Sequence, residues 1–158
     1  MMAIRLGAVS QVLVASPGYL ERRGTPKAPN DLSAHDIIAF EGLDTTNDWR
    51  FGRTGKLVRV EPRLTVNSAD AAIAAAEAGL GISRTLSYQV MASVLIGRLV
   101  PLLVGFTAEK LPVSAIYPAH RIASTNLNVF IKNAREHFKD NPLVPIEEWE
   151  IPVGACHQ

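Results

Sequence analysis

The chain has a single cysteine, no cluster of basic residues and no long apolar run, and each absence narrows what it can be. Cys156 has no partner within the chain, so no intramolecular disulfide can form. That fits a reducing, cytoplasmic setting. Lys and Arg number 16 against 15 Asp and Glu, for a formal net charge of +1, and they are scattered. A surface that grips nucleic acid concentrates basic residues on a patch or along a helix, so the chain by itself is not expected to bind DNA. Its apolar stretches break well short of the roughly 18 residues that a membrane-spanning helix needs. Met1–Ser10 lacks the apolar core of a secretory signal. His35, His120, His137 and His157 show no metal-ligand spacing. Ser16 and Ser83 lack a nucleophile-elbow context. Gly79-Leu80-Gly81 follows a helical pattern instead of opening one, which rejects a dinucleotide loop. Glu41, Asp44 and Asp48 fall in a turn-rich stretch and are expected to be solvated. No catalytic constellation, metal site or cofactor motif emerges, so an enzyme is not expected.

What is present is an ordinary globular composition, 47% hydrophobic and 20% charged over 158 residues. That supports one domain or two small lobes sharing a core. Strand and helix patterns alternate, which points to α/β layers. Gln11–Ala15 is a short β-branched run read as a buried strand. Ser16-Pro17 caps a short helix over 17–23, ended by Gly24. After a proline-rich connector with one helical turn, 36–40 is the next strand. Trp49–Glu61 reads as a hairpin turning through Arg53-Thr54-Gly55, and 63–66 continues as a strand. Asn67-Ser68 caps an alanine-rich helix over 69–78, closed by Gly79. A strand from Gly81-Ile82, a helix over 86–95, strands over 99–104 and 111–117, and a last helix over 124–138 complete the pattern. Leu127, Phe130 and Ile131 lie on one face of that last helix.

The step from strand to helix at Asn67-Ser68-Ala69 is the best candidate for ligand contact. A strand that feeds a helix leaves free N–H groups and the positive end of the helix dipole at one spot, which suits a carboxylate or another polar group. The competing reading is a plain N-cap, worth about 1 kcal/mol of stability.

Five segments in order resemble the substrate-binding domain of LysR-type transcription regulators. They are Arg5-Leu6-Gly7 with 12–20 (VLVASPGYL), Asp31–Asp36 (DLSAHD) leading into 37–40, and the Trp49-Arg50-Phe51 hairpin running on to Leu64-Thr65-Val66-Asn67. The others are 75–82 (AAEAGLGI) with Gly97–Val100, and 112–118 leading into Leu127–Ile131. Together they cover about residues 5–138. The resemblance implies an α/β, periplasmic-binding-protein-like (type 2) two-lobed fold. Its second lobe would be complete over 18–111. The first would be only partly present, as 1–17 and 112–140 with the hinge strands, and 141–158 would be a tail. The expected hinge is the pair of crossing strands Val12–Ser16 and Val113–Pro118. The resemblance implies a small-molecule effector held between the lobes beside Asn67, Ser68 and Ala69. It adds backbone at Gly81 and Ile82 and the hinge residue Tyr117, for which turn geometry and core packing are the competing readings. It also implies a homodimer, with DNA reached only through a helix-turn-helix domain that this chain lacks. A solute-binding protein of a transport system, and a fragment that no longer binds ligand, are the alternatives.

Overall fold

Residues buried on both sides of a strand mark the middle of a sheet, and β2 (Gln11–Ala15) is of that kind: Val12, Leu13, Val14 and Ala15 are all buried. In the computed structural model, which describes residues 1–108, 110–121 and 124–143, β2 lies inside a five-stranded mixed sheet of order β6-β3-β7-β2-β8. The other members are β3 (Ile37–Phe40), β6 (Pro62–Val66), β7 (Ile82–Leu86) and β8 (Val100–Leu102). β3 runs parallel to both β6 and β7, whereas β2 is antiparallel to β7 and β8. Alternation along β2 sends Val12 and Val14 to one face and Leu13 and Ala15 to the other, and each face has its own core.

The first core is closed by α1 (Pro17–Arg23), the 3₁₀ segment Pro29–Ala34 and the hairpin β4–β5 (Asp48–Phe51 and Lys56–Arg59). Tyr19, Leu32, Trp49, Phe51, Val58 and Val60 pack there against Leu13, Ile37 and Ile82. The second core is closed by α2 (Ala69–Glu77) and α3 (Ser87–Leu95). Ala72, Ala75, Ala76, Val90 and Val94 pack there on Val12, Val14 and Ile38. The small side chains of α2 let it lie close to the sheet as it carries the chain from β6 over β3 to β7. Gly79 ends that helix with φ +80, a value only glycine adopts cheaply. Gly81 then passes so near β3 that an added Cβ would lie 2.4 Å from the Asp36 carbonyl oxygen.

A separate two-stranded sheet pairs β1 (Met2–Val9) with β9 (Leu111–Tyr117), antiparallel, from Met2↔Tyr117 to Val9↔Leu111. α4 (Thr125–Asp140) packs against β1. The partner of 113–118 is therefore β1 and not the expected Val12–Ser16 strand, which is occupied by β7 and β8. The chain turns at Ser10, a buried residue whose N–H donates to Ser87 Oγ and whose carbonyl accepts from Ser87 N–H. That break separates two successive strands that lie in different sheets. The expected strand over 99–104 is shorter, because Leu103 has φ 52 and starts a 3₁₀ turn. On α4, Ile131 is buried, 7% exposed, whereas Phe130 is 60% exposed, so the two do not share one open face. Residues 144–158, the bulk of the expected tail, lie outside the described residues.

Candidate functional site

The parallel strands β3, β6 and β7 end at one rim of the five-stranded sheet, and open α/β sheets hold ligands at such a rim. Phe40 and Val66 are paired there, and Glu41 N–H donates to the Val66 carbonyl. Asn67 and Ser68 follow directly. Ser68 is the N-cap of α2, and its Oγ accepts from Ala71 N–H at 3.2 Å. Asn67 and Ser68 are exposed and Ala69 is half-buried. The first-turn amides thus face the rim with the positive end of the helix dipole. Asp70 adds a carboxylate to the same turn. It offsets part of the dipole, so the turn suits a neutral polar or singly charged group better than a dianion.

The other sequence-derived candidates lie elsewhere. Ile82 pairs with Ile37 at the start of β3, and its N–H donates to the Asp36 carbonyl at 2.9 Å. Gly81 and Ile82 are buried at that opposite end of the strands, about 10 Å along β3 from the rim at a rise of roughly 3.3 Å per residue. Tyr117 is half-buried at the end of β9, opposite Met2 in the two-stranded sheet. The fold groups Asn67, Ser68 and Ala69, and sets the other three apart from them.

A constellation the sequence reading missed stands at the same rim. Asp44, expected to be solvated, has a side chain only 2% exposed, and Arg84 on β7 is 9% exposed. Arg84 Nε and Nη2 donate to Asp44 Oδ1 at 2.9 and 2.6 Å, while Asp44 Oδ2 accepts from Phe40 N–H at 2.9 Å. The guanidinium also lies 4.7 Å from the centroid of the buried Trp49 ring, a cation–π contact. One carboxylate therefore ties the loop after β3 to β7. Glu41 and Asp48 are exposed, as expected. No local signal separates Asp44 from them, because its partner is 40 residues away. On the α2–α3 side of β7, the hydroxyls of Ser83 and Thr85 are buried without a hydrogen bond to described residues. No group of three metal-ligating side chains is found among the described residues.

The model of the LysR substrate binding domain matches residues 2–139. The uncharacterized HTH-type transcriptional regulator YhjC of Escherichia coli (strain K12) is 34% identical over 137 residues, covering 80% of this chain and 44% of that protein. The HTH-type transcriptional regulator PtxR of Pseudomonas aeruginosa is 32% identical over 142 residues, covering 89% and 46%. Among solved structures, the regulatory domain of CrgA, a LysR-type regulator from Neisseria meningitidis, superposes with a TM-score of 0.75 at 26% identity. It covers 86% of this chain and 68% of that one. Full-length AphB of Vibrio cholerae shares the fold, with a TM-score of 0.76 at 21% identity over 87% of this chain and 48% of its own. The chain thus spans under half the length of these two curated relatives. The fold is periplasmic-binding-protein-like, type 2, and the chain belongs to the LysR substrate-binding domain family.

Proposed function

We propose that this chain is the effector-sensing part of a LysR-type transcription regulator and performs no catalysis. A small polar or singly charged molecule, such as a monocarboxylate, binds at the rim formed by Asn67, Ser68 and Ala69. The supporting observation is the Ser68-capped start of α2 at the carboxyl ends of three parallel strands. In this reading the five-stranded sheet, β2 included, belongs to the second lobe, and β1 with β9 and α4 belongs to the first. The crossover at Ser10 with β9 forms the hinge, so that residues 11–17 move out of the first-lobe part expected over 1–17. DNA contact belongs to a helix-turn-helix domain outside this chain, and the setting is cytoplasmic. No helix among the described residues is long and apolar enough to cross a membrane.

One lobe buries less of a ligand than two, so binding by this chain is weak. Residue-resolved NMR of the full chain titrated with small carboxylates tests the reading. Saturable shifts at the Ser68 and Ala69 amides, lost in Ser68→Gly, support it. Shifts confined to other residues overturn it.

The chain also pairs with a second copy. β1 and β9 pair only with each other among the described residues, leaving outer edges open. Beside them Ile116 is 65%, Val129 52% and Phe130 60% exposed. Open strand edges next to apolar surface favour association. Sedimentation should show a dimer at micromolar concentration and a monomer for Phe130→Asp; a native monomer defeats the pairing.

A further inference from the structure

One of the two connections between the sheets is a single residue. β1 ends at Val9 and β2 begins at Gln11, so Ser10 alone carries the chain from the two-stranded unit into the five-stranded sheet. The return runs from β8 to β9 through residues 103–110. β1, β9 and α4 pack mainly on one another. A short crossover between two separately packed units is where one can turn on the other, because a few backbone dihedrals absorb the change.

Ser10 is held in place at two points. It is buried, as is Ser87, the first residue of α3. Ser10 N–H donates to Ser87 Oγ at 3.3 Å, and Ser87 N–H donates to the Ser10 carbonyl at 2.8 Å. The first amides of a helix have no partner inside it, and Leu86, at the N-cap of α3, has no polar side chain to offer one. The Ser10 carbonyl supplies an acceptor from 77 residues away. Both bonds use the main chain of Ser10, whose own hydroxyl is buried without a hydrogen bond among the described residues. Ser87 directly follows β7, at the same rim as Ser68.

We infer that Ser87 is a latch on this crossover. By holding Ser10 against the start of α3 it fixes the angle between the β1–β9–α4 unit and the five-stranded sheet, and a swing of one on the other must release it. The inference rests on the lobe division proposed above and not on what binds at the Ser68 rim. Because Ser87 stands at that rim, a shift of α3 there passes to the crossover through two hydrogen bonds.

Three variants of the full chain test the latch, with circular dichroism as the check on folding. Ser87→Pro removes the N–H and the hydroxyl together. Proline suits the first helical position, and Leu86, at φ −88 and ψ 143, already has the extended backbone that precedes proline, so α3 should persist. Ser87→Ala removes the hydroxyl alone, and Ser10→Ala keeps both bonds. Amide hydrogen exchange at Ser10 should quicken by about tenfold or more in Ser87→Pro, measured against the other amides of β2, and by less in Ser87→Ala. Spin labels are then placed through Lys132→Cys on α4 and Ala74→Cys on α2, both exposed, in a Cys156→Ser background diluted with unlabelled chain. The distance distribution should be narrow in the otherwise unaltered chain and in Ser10→Ala, and broader or displaced in Ser87→Pro. If Ser87→Pro does not fold, the same comparisons are read in Ser87→Ala. Unchanged exchange at Ser10 sinks the latch alone. Faster exchange with an unchanged distance sinks the latch and the lobe division together. A distribution in the unaltered chain or in Ser10→Ala as broad as in Ser87→Pro also overturns the latch. The effector rim falls separately, by silence at the Ser68 and Ala69 amides in the carboxylate titration.

Discussion

Removing the Asp44 carboxylate should be among the most damaging single changes in this protein. In Asp44→Ala the guanidinium of Arg84 stays buried beside Trp49 but loses both of its hydrogen bonds to Oδ1. The Phe40 N–H loses its acceptor as well. Breaking one partner out of a buried pair costs about 3–5 kcal/mol, because the remaining charge is left uncompensated. Urea unfolding followed by circular dichroism measures the loss. With a slope of about 2 kcal/mol per molar, the midpoint should fall by about 1.5–2.5 M. The companion variant, Asp44→Asn with Arg84→Met, removes both charges, keeps an acceptor for Phe40 N–H and fills the space over Trp49 with an apolar chain. It should recover most of the loss, since buried pairs are often replaceable by packing. An Asp44→Ala cost below about 1 kcal/mol, the figure for an exposed pair, would show that water reaches Arg84 and refute the reasoning.

Three further outcomes follow from single contacts. Gly81→Ala forces a Cβ against the Asp36 carbonyl, at 2.4 Å; strands β3 and β7 must separate at their start, lowering stability by roughly 1–3 kcal/mol, read as a fall in Tm. Ser68→Ala removes the α2 cap and should cost about 1 kcal/mol by chemical denaturation, with the fold intact by circular dichroism. His35 makes stability pH-dependent. Burial pushes its pKa below the ordinary 6.5, helped by Arg23 and opposed by Asp31 and Asp36. Asp36 N–H donates to Tyr19 Oη, which in turn contacts His35 Nδ1 at 3.0 Å, so Tyr19 has a proton to offer and neutral His35 accepts it. A depressed folded-state pKa means that this stability is full above 6.5 and is lost as pH falls through the folded value. The urea midpoint should therefore drop from pH 7.5 to pH 5, and His35→Gln should remove that part of the dependence; an unchanged slope contradicts it.

Local chemistry was enough for much of the fold. The β-branched run at Val12–Val14, the Ser16-Pro17 start of α1, the glycine-bounded hairpin after Trp49 and the Ser68 cap of α2 each depend on residues within a few positions of one another. Such signals survive in a linear sequence because the groups that interact are neighbours along it. The Ser68 rim was legible for the same reason: a cap and a helix dipole are local properties. The family resemblance rested on the same segments, taken in order.

Other features needed the folded chain. That β9 pairs with β1 was not readable, because both strands have apolar stretches and register is chosen by whatever sheet is already filled. The separation of Gly81 and Ile82 from Ser68 depends on strand direction, since β7 enters the sheet at the end opposite the rim, and that of Tyr117 on its strand pairing in the two-stranded sheet. Asp44 looks like its neighbours Glu41 and Asp48 in sequence, and only the arrival of Arg84 on a strand 40 residues later buries it. Charges become buried pairs through long-range packing, so the ion pair that ties the rim together exists only in the tertiary structure.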